Sequence, residues 1–451
     1  MSSIKPKEYK EDVRGQYEDF PYPFRDPNDE AKYFHGGDTH SLMGLSHGGW
    51  GGKRDLRQGA RILIAGCGTG DSAVMFAEEM NGYSGEIVAI DLSSKSIEIA
   101  QARMKKRQLN NVTFRHMSIL DLPQAGLGQF DIIESGGVLH HLPDPVAGLA
   151  ALTPLLKPDG MMAIMVYGQY GRMAIYLVQQ LMQQLVPPDA PRDLKIQIAR
   201  EFLGNVPMGH WLTTNNHHLM EDFHWPDGSG IYDLFLHSTD RAYTVPQIYD
   251  WVEGCGLQLT DIFSPSMDNR FYLPEQYNAS PLLRGIFAAK SLREQRTIAE
   301  LMNGNMSKHY FYAAKEPKNS AVFAEDMVID YGATQHLCME FMTPLLQALE
   351  RAALGERVQV PVMPMEGAPP LFLTKTRFVS TLLSLIDGTR SIGATIATVA
   401  ASSGVAPDAV RADLTLMLSE MRCRQMVFLR HESIPPYLNG KQIMARLHAL
   451  R

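Results

Sequence analysis

The sequence predicts an α/β fold built on a doubly wound, mostly parallel sheet of seven strands. Three observations predict it. Short apolar runs alternate with helix-spaced segments from Arg61 to Tyr167. The first run ends in a glycine-dense loop. A helix–strand–strand pattern resumes at Val245 after an interruption. Strands that alternate with helices imply a parallel sheet covered on both faces.

The elements follow in order. Arg61–Ala65 reads as the first strand, Ser72–Met80 as a helix, Glu86–Ile90 as the second strand and Lys95–Arg107 as a helix. Val112–His116 and Phe130–Ser135 are the third and fourth strands, Val146–Leu156 a helix, and Met161–Tyr167 the fifth strand. Val245–Cys255 is then a helix, with Leu257–Phe263 and His309–Ala314 as the last two strands. Segments 169–240 and 267–303 become helical insertions near the carboxyl edge of the sheet.

Residues 1–57 are rich in Gly, Pro, Tyr and His, and Pro21 and Pro23 exclude an ordinary helix there. They read as an arm or lid over a core spanning 58–316. Residues 317–451 form a connector and a small C-terminal domain, with a Pro- and Gly-rich boundary at Pro361–Pro370. Phe378–Ile386, Ile392–Ala400, Asp408–Glu420 and Met426–Leu429 give helix, helix, helix, strand, a winged-helix-like order.

Composition narrows the function. The chain has 451 residues, 45% apolar and 20% charged, a globular balance. Its net charge is −7, from 42 basic and 49 acidic residues, so no overall basic field recruits nucleic acid. The C-terminal unit has no basic stripe on its third helix, which points to dimerisation, as a homodimer, or to acceptor docking. The four cysteines (Cys67, Cys255, Cys338, Cys423) lie far apart and form no metal or redox pair. No secretion signal or membrane span is visible, so a cytoplasmic protein is expected. His210, His217, His218, Glu221 and His224 show no tight ligand spacing, and no metal site is expected there.

The chemistry centres on Gly66-Cys67-Gly68-Thr69-Gly70. Glycines at these places permit a tight turn and close approach of a ligand. The GxGxxG of dinucleotide binders would need glycine at 71, where Asp71 stands, which argues against a pyrophosphate cradle. Asp91 ends the second strand, where a carboxylate can accept both ribose hydroxyls. A nucleoside ligand without a pyrophosphate fits both facts.

With these features the sequence resembles the class I S-adenosylmethionine-dependent methyltransferases and their Rossmann-like sheet. The resemblance rests on the glycine loop, Asp91, Phe130-Asp131-Ile132-Ile133, the run Gly136-Gly137-Val138-Leu139-His140-His141-Leu142-Pro143-Asp144-Pro145, and Leu156-Lys157-Pro158-Asp159-Gly160. It implies S-adenosyl-L-methionine as cofactor and S-adenosyl-L-homocysteine as product. Gly66, Cys67, Gly68, Thr69 and Gly70 would line its methionine and ribose, Asp91 would hold the ribose, and Leu92 would cover the adenine. Ser118 and Ile119, after Met117, would lie along the adenine edge. Ser135, Gly136 and Gly137 would face the transferable methyl. Where many members have Gly-Asp, this chain has Met117-Ser118, which leaves one hydroxyl for the adenine.

Methyl transfer from a sulfonium is an in-line displacement, governed by positioning, and needs a base only when the acceptor starts protonated. The polar candidates are Tyr17, Tyr22, His140, His141, His237, Asp240, Arg241 and Tyr243. The run from Asp233 to Tyr243 is dense in polar and aromatic groups and reads as acceptor pocket, or as an Asp–Arg ion pair fixing the insertion. The arm, the LHHLPDP run and the multidomain layout also resemble the large bacterial methyltransferases that include protein-lysine methyltransferases. Three readings stay open. A protein side-chain enzyme predicts an open acceptor channel. A small-molecule enzyme of secondary metabolism predicts a pocket roofed by 169–240. A non-catalytic methyltransferase-like regulator predicts no turnover.

Overall fold

The computed structural model describes residues 15, 17–32, 34–35, 41–187, 189–215, 228–237, 239–264, 269–278, 280–331, 342–360, 371–421, 426–438, 442, 445 and 446. The boundary segment 361–370, Cys338, Cys423 and the residues His217, His218, Glu221 and His224 lie outside the described residues.

The central sheet is built from β1 (Arg61–Ala65), β2 (Glu86–Asp91), β3 (Val112–His116), β4 (Phe130–Gly136), β5 (Leu156–Gly168), β6 (Ala242–Tyr243), β7 (Gln258–Phe263) and β8 (Lys308–Ala314). Seven strands run in the order β3-β2-β1-β4-β5-β8-β7, and the two-residue β6 adds a short parallel pairing to the end of β5. Only β8 pairs antiparallel with its neighbours β5 and β7. The expected seven-stranded, mostly parallel Rossmann-like sheet is therefore present.

Alternation along the strands explains the two layers. Leu63, Val88, Ile133, Met162 and Ile164 belong to one apolar cluster. Their neighbours Ile62, Ile64, Ile87, Ile132 and Met161 belong to another on the opposite face. A sheet buried on both sides needs such continuous apolar runs. The edge strands are less covered: β3 has Thr113, Arg115 and His116 toward solvent, and β7 is buried only at Ile262 and Phe263.

The helices of the core are α1 (Leu42–Gly49), α2 (Asp71–Glu79), α3 (Ser94–Lys106) and α4 (Pro145–Leu152). Ser93 caps α3 by accepting the Ser96 N–H, and Asp144 caps α4. The expected helix to Leu156 stops at Leu152. Pro154 has no N–H to continue it, and a single 3₁₀ turn follows. β5 is correspondingly longer than expected, because Leu156–Gly160 joins it. After β5 the insertion contributes α5 (Met173–Leu185) and α6 (Arg192–Leu203), whose buried faces form a cluster with Leu234 and Phe235. No helix among the described residues is long and apolar enough to cross a membrane.

The C-terminal part contains the expected three helices, Val379–Ser384, Ile392–Ser403 and Pro407–Met421, and a final strand, Val427–His431. That strand pairs antiparallel with Met327–Tyr331, inside the segment read as connector. Strands Arg357–Gln359 and Phe372–Thr374 also pair across positions 361–370. Both sides of that segment share one core, with Leu345, Leu349 and Val358 beside Leu373, Val379 and Leu414. The unit thus starts well before 361, and its winged-helix-like character rests on the helix order alone. It leans on the sheet's second layer through Phe428. Arg57 donates to the carbonyls of Pro435 and Pro436 in the same contact.

Candidate active site

The glycine loop turns because its glycines take left-handed backbone. Gly66, Gly68 and Gly70 have φ of 91°, 50° and 99°. Close approach is the second reason. A Cβ on Gly66 would lie 2.4 Å from Val138 Cγ2, and one on Gly68 would lie 2.7 Å from the Tyr22 carbonyl oxygen. The loop delivers the chain into α2 at the carboxyl end of β1, where open α/β sheets bind ligands.

Asp91 stands where expected, at the end of β2. Its carboxylate accepts the Gly68 N–H at 2.8 Å and the Ser93 N–H at 2.9 Å, so it is locked in place beside the loop. Burial pushes its carboxyl above the ordinary range, and the Ser93 and Gly68 N–H groups pull it back. The Leu92 N–H also acts on it, and one lone pair is left for a ribose hydroxyl. Gly66, Gly68, Asp91, Leu92, Gly136 and Gly137 are all half-buried and lie at or just past the carboxyl ends of β1, β2 and β4.

Other cofactor candidates have structural employment. Cys67 is buried, which pushes its thiol well up and leaves it a packing group. Ser118 caps the 3₁₀ turn Ile119–Gln124 by accepting the Leu120 N–H, and Ile119 lies in the core. The Ser135 hydroxyl donates to the Ala65 carbonyl at 3.0 Å and ties β4 to β1. Thr69 donates its hydroxyl to the Pro23 carbonyl.

That last bond belongs to the arm, which crosses the loop as a lid would. The Glu18 carboxylate accepts the Ser94 N–H at 2.7 Å at the start of α3, a favourable place for a negative charge. Arg25 forms a fork with Asp71 at 3.0 and 2.7 Å. Glu30 is held by the buried Arg103 and Arg107. Tyr22 contributes its backbone carbonyl, which the Thr69 N–H meets at 3.4 Å.

Tyr17 reaches furthest. Its hydroxyl donates to Asp233 Oδ1 at 3.3 Å and stands 3.4 Å from His237 Nε2. Tyr167, at the end of β5, donates to the other Asp233 oxygen at 3.4 Å. Asp233 lies on a π-helical turn, Tyr232–Leu236, a distortion that recurs at functional sites. His141 stacks on His237 with ring centroids 4.1 Å apart. Burial raises the Tyr17 and Tyr167 phenols, so both stay neutral donors. Burial also raises Asp233, while His141 opposes the shift.

The histidine protons follow from their backbone partners. The Thr239 N–H meets His237 Nδ1 at 3.0 Å, so that nitrogen accepts and Nε2 carries the hydrogen. His237 is held neutral by burial, which pushes its pKa well down. His141 Nδ1 faces the Thr239 carbonyl at 3.1 Å, so it donates, and its Nε2 is turned away from that bond. Donor atoms of His141, Asp233 and His237 lie within 4.8 Å of one another, a spacing that suits a metal ion. The donor chemistry does not fit one: the His237 Nε2 lone pair is taken by its proton. The triad reads as a hydrogen-bonding and proton-accepting group.

The remaining candidates divide. His140 is buried against the Tyr167 ring at 3.9 Å, and burial pushes its pKa well down. Asp240 pairs with Arg172 at 2.9 Å, not with Arg241, and also accepts from Gln179 and Tyr176. The Arg172 guanidinium lies 3.4 Å over the Tyr167 ring. The ion-pair reading of Asp240 is therefore right in kind, with a partner on α5's threshold. Arg241 is exposed and lines an open cleft of about 440 Å³ with Met173, Leu177 and Trp211. Tyr243 stacks on Trp251 at 5.0 Å in the core and does not join the site. Sequence reasoning missed Tyr167 and Arg172, and quoted Asp233 without choosing it. The position of Tyr167 at a carboxyl strand end was the available signal.

Residues 56–190 match a family described as a methyltransferase domain. An uncharacterised protein of Synechococcus sp. is 31% identical over 265 residues, 57% of this chain and 60% of its own length. The ubiquinone biosynthesis O-methyltransferase of Acinetobacter baylyi is 29% identical over 102 residues, 23% of this chain and 41% of that enzyme. The chain thus spans less than two thirds of either relative. PKMT2 from Rickettsia typhi, solved in complex with AdoHcy, shares the fold at TM-score 0.60 and 15% identity, covering 89% of this chain and 76% of that one. Residues 56–190 thus carry a methyltransferase domain.

Proposed function

We propose that the protein is an S-adenosylmethionine-dependent methyltransferase that modifies a protein side chain such as lysine. The observation that carries this reading is the juxtaposition of two sites at the carboxyl ends of β1, β2, β4 and β5. One is the glycine groove with Asp91, which suits a nucleoside sulfonium. The other is the Tyr17–Asp233–His237–His141 group beside it. Bound in the groove, S-adenosylmethionine supplies an already activated methyl. The chain's own task is to hold the acceptor in line, exclude water and take up any proton the acceptor sheds. In its neutral form His141 has at Nε2 a lone pair for that proton. The open cleft lined by Met173, Leu177, Trp211 and Arg241 is where a larger acceptor would rest.

One observation favours a second reading, a small-molecule acceptor. Asp233 is only 2% exposed under the arm and the insertion, the roofed pocket which that reading requires. Transfer of labelled methyl from S-adenosylmethionine into a lysate of the source cells, with Asp91→Ala protein as control, separates the two. Enzyme-dependent label in the protein fraction supports the first and label confined to small molecules the second. No transfer by protein with demonstrated cofactor binding contradicts both.

A further inference from the structure

We propose that Asp233 is the seat of a cationic amine, so that the methyl acceptor is an ammonium nitrogen in either form of the function proposed above, on which this inference rests.

The argument begins with charge. Asp240 is matched by Arg172, both side chains 1% exposed. Asp233, equally buried, has no salt-bridge partner among the described residues. Its neighbours are two neutral phenols and the imidazoles of His141 and His237. The negative charge of Asp233 is therefore met by no ion pair of its own, although Arg172 and His141 act on it from further off. Such a charge is costly unless a cation or a proton meets it.

The surroundings are made for a cation. Both phenol contacts to Asp233, at 3.3 and 3.4 Å, are longer than the roughly 2.7–2.8 Å of an ordinary O–H···O bond. The carboxylate is thus loosely held and can close on a stronger donor. The rings of Tyr17, Tyr167, His141 and His237 cluster beside it in stacked, tilted and edge-on pairs, with centroids 4.1 to 6.1 Å apart. Arg172 and His140 cover the two faces of Tyr167, which leaves the Tyr17 ring to meet an alkylammonium. His140, whose two ring nitrogens are buried without a partner, closes the far side against Tyr167.

The step then balances. The ammonium R–NH₃⁺ gives one proton to His141 Nε2. The freed nitrogen lone pair forms the N–C bond to the methyl of the sulfonium donor. The S–C bond breaks with its electron pair left on sulfur, which becomes a thioether. The nitrogen leaves as R–NH₂⁺–CH₃, so positive charge passes from sulfur to nitrogen and the product still suits the carboxylate. A phenol treated the same way would form an anion beside Asp233 and be repelled. The seat therefore selects amines against hydroxyl acceptors.

The test is calorimetry on the full-length protein saturated with S-adenosylhomocysteine. The probes are n-butylammonium chloride, n-butanol and phenol. The proposal expects n-butylammonium to bind at least about tenfold more tightly than either neutral probe. Asp233→Asn loses that preference while its S-adenosylhomocysteine affinity stays within about twofold, which also shows that it is folded. Tyr243→Phe, outside the site, keeps the preference. Equal binding of n-butanol or phenol by the wild type overturns the proposal without recourse to any variant, as does an undiminished preference in a folded Asp233→Asn protein. Failure of the wild type to bind S-adenosylhomocysteine would sink the methyltransferase reading and this inference together. Binding of S-adenosylhomocysteine with no binding of n-butylammonium would sink this inference alone.

Discussion

Tyr17 and Asp233 are 216 positions apart in the sequence and 3.3 Å apart in the fold. That contact joins the arm to the insertion directly over the carboxyl edge of the sheet. Under the proposed function it makes the arm part of the acceptor site as well as a cover for the cofactor groove. Tyr17→Phe keeps the ring and removes only the hydroxyl. Single-turnover methyl transfer is expected to slow about tenfold, while cofactor affinity stays within about threefold. A loss confined to cofactor affinity would show that Tyr17 serves the groove alone.

Gly68 tests the close approach of arm and loop. An alanine Cβ would fall 2.7 Å from the Tyr22 carbonyl oxygen, which is backbone and cannot simply rotate away. Gly68→Ala is expected to weaken S-adenosylhomocysteine binding by about tenfold or more, with a destabilisation of only ~1–2 kcal/mol from the left-handed backbone. Titration calorimetry and thermal unfolding read the two effects separately.

Arg172 and Asp240 form a buried pair at 2.9 Å. Breaking one side leaves the other charge unmatched, at a cost of about 3–5 kcal/mol. Arg172→Leu is expected to lower stability by roughly that amount. The double variant Arg172→Leu with Asp240→Leu should recover much of it, because no lone charge remains. Urea unfolding of the four proteins of the cycle measures the coupling.

Glu79 gives a pH dependence. It is buried in α2 and accepts the Leu42 N–H at 2.9 Å. Burial raises its carboxyl from the ordinary 4.5 to about 7. The folded state thus binds the proton more tightly than the unfolded state. The stability from this group is fully present below about pH 4 and is lost as pH rises through 7. Glu79→Gln keeps the acceptor and removes the ionisation. It is expected to be more stable than the parent by ~2–3 kcal/mol at pH 8, and equal to it near pH 4. A constant difference across that range would remove Glu79 as the cause.

The sheet was legible because each strand carries its own apolar run and each loop its own punctuation. Gly66, Gly68, Gly70 and Asp91 were legible for the same reason, since adjacent elements define the groove locally. The limits arose where long-range pairing decides. Asp240 pairs with Arg172, which is 68 positions away, and nothing in the adjacent Arg241 excludes itself as partner. Tyr243 looked like its polar neighbours, but β6 turns it into the core onto Trp251. Ser135 precedes two glycines, yet strand register gives its hydroxyl to Ala65. The strand Val427–His431 was visible from its β-rich run, while its partner Met327–Tyr331 lies about a hundred positions upstream.

The most direct measurement is calorimetric titration of S-adenosylmethionine into the wild-type protein and into Asp91→Ala. The account predicts one site in the wild type and loss of binding in a variant with the wild-type thermal midpoint. Binding by a folded Asp91→Ala protein with undiminished affinity, or none by the wild type, would contradict it.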